Sequence, residues 1–197
     1  MNLKQLATVW MGLSFRARLE PAKDGNIPVI QMRDLTEDSG LDVRNLLTIR
    51  LDGVSKHHFV QRKDLIFRSR GRTNTTIIID IEPDRAIVVA PLLGIRVTSE
   101  KVLPEYLCWF INQPPSQAFL HRHATGTAMV TIGKSVLEDL EISLPGIETQ
   151  KQIAEIAALS DREQRLMRDL AKERKRLADG ALMRLVKESG TNFNQRV

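Results

Sequence analysis

Between positions 56 and 72 the chain carries Lys56, Arg62, Lys63, Arg68, Arg70 and Arg72 against a single carboxylate, Asp64. Ammonium and guanidinium groups at this density neutralise phosphates, and an arginine fork also matches a guanine edge. Asn74 just downstream, and Gln31 with Arg33 upstream, extend the set, since a side-chain amide matches adenine. These residues are candidate nucleic-acid contacts; the competing reading is a solvated strand edge kept from aggregating by its charge. Further along, Thr125 and Thr127 flank Gly126. Their hydroxyls and the flexible backbone between them suit phosphate contacts, and equally suit a structural turn.

Catalytic chemistry has no complete set of parts. Asn112-Gln113-Pro114-Pro115-Ser116 shares residues with the Asn-Pro-Pro-aromatic tetrad of DNA amino-methyltransferases, but the order differs and no glycine-rich cofactor loop follows a strand. Glu82-Pro83-Asp84 with Glu100-Lys101 lacks the residue that separates the last carboxylate from the lysine in many nucleases. Two-metal hydrolysis also needs its carboxylates to converge on one site. His57 and His58 are adjacent and His121 and His123 are two apart, so zinc would need separate loops to meet. There is no Gly-x-Ser-x-Gly elbow and no phosphate-binding Gly-x-x-x-x-Gly-Lys-Ser loop, since Ala128 stands where the leading glycine before Gly133-Lys134-Ser135 would be, and Cys108 reads as a buried side chain. The expectation is a binding protein with no catalytic residue, metal or cofactor of its own.

The elements that would position these residues are legible in outline. A chain of 197 residues with 42% hydrophobic composition sustains one globular unit with an appendage. Its net charge of +5 and pI near 9.6 favour phosphate-rich partners. The single cysteine excludes an internal disulfide and fits a cytoplasmic location. An apolar run from Leu6 to Phe15 is broken by Gly12 and Ser14 and followed by Arg16 and Arg18, unlike a secretory leader. No apolar stretch is long enough to span a membrane.

Turn residues divide the first third into short, mainly β pieces, with a strand at 27–32 and a loop through Asp38-Ser39-Gly40. Leu65-Ile66-Phe67, Thr75 to Ile79 and Ala86 to Val89 read as sheet strands. Pro104 opens a helix that ends near Pro114, Ser116 to His123 forms a second, and 136–144 holds one or two short elements. From Thr149 the pattern turns helical, with no glycine or proline before Gly180, a residue placed to break or kink it. Ile153, Ile156, Leu159, Leu166, Leu170 and Leu177 recur at steps of three, four and seven, interrupted by Glu163 and Glu173. Residues 149–187 would extend roughly 58 Å. Such a helix needs a partner: either another helix, which is preferred, or its own domain. Arg162, Arg165, Arg168, Lys172, Arg174, Lys175 and Arg176 alternate with acids and read as a solvated face. The organisation is therefore mixed α+β, with a globular domain at 1–148, a helical spacer pairing as a coiled coil at 149–188 and a tail at 189–197.

Several segments together resemble a known family. Lys63-Asp64-Leu65-Ile66-Phe67-Arg68-Ser69-Arg70-Gly71, Ala124-Thr125-Gly126-Thr127, Ile132-Gly133, Leu137 through Pro145, and Gln150-Lys151-Gln152-Ile153 look like a target recognition domain from the DNA specificity subunits of type I restriction-modification enzymes. Upstream, Gly12 to Arg16 and Val29 to Leu35 are similar to the opening of such domains. Lys63 stands where the family often has glycine, and Gly146 where a second proline follows Pro145. The resemblance implies double-stranded DNA as ligand and an adenine methyltransferase subunit, using S-adenosylmethionine, as partner. It leaves open a translocating restriction subunit as a third component. Family subunits carry two recognition domains and two long antiparallel helices, whereas this sequence has one of each. The implied arrangement is a half-size subunit that homodimerises through its helix and reads a split palindrome. A helix-pairing adaptor or decoy that occupies the methyltransferase without reading DNA is the alternative.

Overall fold

The computed structural model describes residues 1–36, 40–41, 45–71, 74–80, 85–126 and 129–193. The chain divides into two units, Met1–Glu155 and Ile156–Val197.

The first unit is built on an antiparallel sheet in the order β1 (Ala7–Met11), β9 (Leu92–Val97), β6 (Leu65–Arg68), β7 (Thr76–Ile78). Both of its faces are covered, which is why β6 reads as unbroken apolar sequence instead of alternating with polar residues. Leu65 and Phe67 point to one core, with Tyr106, Leu107, Ile111 and Leu120. Ile66 points to the other, with Trp10, Ile30, Val88 and Leu92. The helices on the first face are α1 (Pro104–Ile111), α2 (Pro114–Arg122) and α3 (Lys134–Glu138). Beyond the second face lies a three-stranded sheet in the order β5 (Leu47–Ile49), β2 (Ile27–Ile30), β8 (Ile87–Val88). A short ribbon pairs β3 (Leu35–Thr36) with β4 (Gly40–Leu41).

Local chemistry sets the boundaries. β2 stops at Ile30 rather than Met32 because Gln31 N–H donates to the Asp34 carboxylate at 2.8 Å, opening a 3-10 turn over Met32–Asp34. α1 and α2 each begin on proline, where the missing N–H costs nothing; α2 therefore starts two residues before Ser116. The apolar run that begins at Leu6 contains β1. Val9 and Trp10 enter opposite cores, and the Trp10 indole lies against Gly94, where any Cβ would overlap the ring.

The last helix, α4 (Ile147–Phe193), starts two residues before Thr149 and continues through Gly180. Its first turn is clipped to the globular unit by Gln150, which is fully buried. Gln150 Oε1 accepts from Leu103 N–H at 2.9 Å, and Nε2 donates to Lys101 O and Pro145 O at 2.9 Å each. Gln150→Leu leaves these backbone groups without their partner. Unfolding of the globular unit, followed by tryptophan fluorescence, should show a loss of about 2 kcal/mol; an unchanged midpoint would mean that the clip is dispensable. Ile153, expected on the pairing stripe, packs against the first core instead, because residues up to Glu155 belong to the globular unit.

In the second unit Ile156, Leu159, Leu166, Leu170 and Leu177 are all exposed, none below 54%. At 100° per residue they fall within an arc of about 80°. Glu173, which interrupts the heptads, is bound by Arg176 three residues on, at 2.7 Å.

Candidate nucleic-acid interface

The basic cluster of the sequence is divided by β6. Arg62 and Lys63 precede the strand and Arg70 follows it, so a span of about 13 Å of extended backbone separates the groups. At the leading end Lys56 and Arg62 are exposed. Lys63, at φ 70°, ion-pairs with Asp80 and Glu105, both at 2.8 Å. Its pKa is raised, first by the hydrogen bond to Asp80 and then by that to Glu105, so its charge is already matched. Next to it, Asp64 is buried and takes a two-pronged ion pair from Arg96 at 2.8 and 2.6 Å. Arg85, unremarked in the sequence, lies 5.3 Å over the Phe59 ring. The His57 and His58 rings are 4.0 Å apart, and burial, then His57, lowers the His58 pKa.

At the trailing end several expected contacts serve the scaffold instead. Arg68 donates from Nη2 to Leu35 O at 2.6 Å, which ties the turn bearing Arg33 to β6. Asn74 is 1% exposed and donates to Arg68 O at 2.9 Å; it bonds back to the end of β6 and is withdrawn from any surface contact. Asn112, from the tetrad-like segment, acts as a surrogate strand. Thr76 N–H donates to its Oδ1 at 2.7 Å, and its Nδ2 donates to Thr76 O at 2.8 Å. This pairing occupies the open edge of β7. Cys108 is half-buried and donates to the same Thr76 carbonyl at 3.5 Å.

Arg33, Arg70 and Thr125 are exposed, while Gln31 is half-buried, with Nε2 unpartnered among the described residues. Arg70 and Thr125 are brought together by Thr131, which the sequence did not single out. Thr131 forms isolated antiparallel bridges to both Arg70 and Thr125. Thr125 N–H donates to Thr131 O and Thr131 N–H to Thr125 O, both at 2.9 Å. Ile132 N–H donates to Ser69 O at 2.7 Å, and Arg70 Nε reaches Thr131 Oγ1 at 3.4 Å. The result is a three-residue-wide ledge, Thr125–Thr131–Arg70, with one guanidinium and two hydroxyls along it. Gly126, at φ 92°, makes the close return: a Cβ there would lie 2.5 Å from Met129 O. Arg72, Thr127, Glu82 and Asp84 lie outside the described residues. Among those described, no group of three His, Cys, Asp or Glu side chains is placed to hold a metal, and no helix is long and apolar enough to cross a membrane.

The comparisons with known proteins agree with an α+β domain followed by a long terminal helix. Residues 1–173 match the type I restriction modification DNA specificity domain, and the chain belongs to that family. An HsdS subunit from Thermoanaerobacter tengcongensis has a similar fold at TM-score 0.57 and 15% identity, the match covering 84% of this chain and 37% of that one. A type I restriction-modification system S subunit from M. genitalium gives 0.51 and 16%, over 82% and 38%. A chain from a structure of the type I R-M system, described for complex assembly and conformational transition, gives 0.51 and 16%, over 84% and 41%. This chain thus spans about two fifths of the solved chains it resembles. No curated protein matches it.

Proposed function

We propose that this chain is a sequence-reading subunit that directs an adenine methyltransferase to DNA and catalyses nothing itself. The family match over residues 1–173 carries the reading. In it, residues 1–148 contact DNA and residues 149–188 form the spacer and pairing helix. The helix docks the methyltransferase and, in complexes that cleave, a restriction subunit. Two copies pair through Ile156, Leu159, Leu166, Leu170 and Leu177, and a twofold pair reads two inverted half-sites, a split palindrome. Arg33, Arg70 and Thr125 are the contacts favoured by exposure; Lys56 and Arg62 supply a second, phosphate-directed patch.

The test is a map of methylated adenines in cells expressing this chain with its methyltransferase, against the methyltransferase alone. A split palindromic motif that depends on this chain is the expected result, and an asymmetric motif would show pairing with a different subunit. No new motif, from a soluble and associated pair, would leave the helix-pairing adaptor in its place. Within this reading Arg70→Ala should weaken binding of the mapped duplex by about 1–3 kcal/mol. Titration at several salt concentrations checks it, because a lost phosphate contact also reduces the salt slope by about one. Unaltered affinity and slope would remove Arg70 from the interface.

A further inference from the structure

Met129 has no role in the chemistry described so far. It sits two residues before Thr131, at the mouth of the ledge, and is 56% exposed. Its surroundings are polar or cationic: Thr131 Oγ1 donates to the Met129 carbonyl at 3.5 Å, and Arg70 bridges to Thr131. Gly71, beside Arg70, donates its N–H to Val130 O at 3.3 Å, so the backbone at Met129 and just after it is tied down. An exposed thioether gains nothing from phosphate, and it costs solvation unless an apolar group covers it.

We infer that Met129 is a specificity-determining residue that contacts the 5-methyl group of a thymine in the major groove. The inference rests on the DNA-reading role proposed above. Two strand spacings separate Thr125 from Arg70 across Thr131, which makes the ledge about 10 Å wide. A major groove of about 12 Å admits an element of that width. The thymine methyl is the one apolar group on the base edges of that groove. A methionine beside an arginine and two threonines therefore has a single complementary feature to meet, while its polar neighbours take phosphates or base acceptors. The side chain is flexible and polarisable, so it can close on a methyl without exact geometry.

The experiment uses the chain with its methyltransferase and duplexes bearing the mapped motif, in which each thymine in turn is replaced by uracil. Uracil removes the methyl and leaves the hydrogen-bonding edge unchanged. One such replacement should weaken wild-type binding about fourfold, the loss of one buried methyl. Met129→Ala should bind that duplex and its thymine parent equally, with an unchanged salt slope. If every uracil duplex affects wild type and variant alike, or if Met129→Ala keeps the wild-type motif and affinity, the assignment is wrong. A wild-type complex with no motif at all overturns the DNA-reading role itself, and is seen before any variant is made.

Discussion

Arg96→Met is expected to destabilise the globular unit by about 3 kcal/mol. Arg96 donates Nε to Asp64 Oδ1 at 2.8 Å and Nη2 to Asp64 Oδ2 at 2.6 Å, with a further bond from Nη2 to Phe59 O at 2.9 Å. The Asp64 side chain is 3% exposed and that of Arg96 27%, so the carboxylate is the partner that cannot be rescued by water. Among the described residues its remaining bond, from Gln61 N–H at 2.7 Å, is a fraction of what an ionised group needs in the interior. The Asp64 hydrogen bond raises the Arg96 pKa further above its ordinary value, against the lowering effect of burial. The guanidinium also lies 5.2 Å over the Trp10 ring, and methionine would fill much of that space without the charge. Urea unfolding followed by tryptophan fluorescence is selective, since Trp10 and Trp109 both lie in the globular unit. Adding Asp64→Leu to Arg96→Met should recover most of the loss, because an apolar pair leaves no unpaired charge. A single variant that shifts stability by less than about 1 kcal/mol would show that Asp64 finds another partner, and would remove this pair as a pillar of the fold.

The elements that sequence located well are those whose signal is local. Pro104 and Pro114 start helices by their fixed backbone, and the β-branched run Thr75 to Ile79 contains β7. β1 and β9 carried no such mark: each has buried residues on both faces, so alternation disappears, and Gly94 in β9 is explained only by the Trp10 ring against it. The interface is harder to read, because proximity in sequence is not proximity in space. β6 inserts its length between Arg62 and Arg70, while Thr131, 61 residues from Arg70, becomes its neighbour through strand pairing. Asn74 has the right chemistry for adenine but the wrong depth, since its amide is turned inward to bond Arg68 O. Ile153 fits the heptad arithmetic of its helix, yet the arithmetic cannot reveal where the domain ends and the free helix begins.

Leu166→Glu with Leu170→Glu should abolish self-association while leaving the globular unit folded. Both leucines lie in the second unit and are 60% and 54% exposed, so no core contact is removed by replacing them. In a pair of copies the change withdraws four leucines from the interface. At about 1.5 kcal/mol each this amounts to roughly 6 kcal/mol, or four powers of ten in the dimer constant. The stripe already tolerates Glu173 because Arg176 lies 2.7 Å away on the same helix. The introduced glutamates instead fall within the apolar arc, Leu170 at its middle, where a facing copy would bring the same charges against them. Sedimentation of wild type and variant at equal concentration separates the cases: a wild-type dimer and a variant monomer with unchanged tryptophan fluorescence is the expected pattern. A variant that remains dimeric would move the interface off this stripe, and a monomeric wild type would reserve the stripe for a different chain. The first result carries a further consequence, since a monomeric variant that still binds its half-site should methylate neither strand of the split site efficiently.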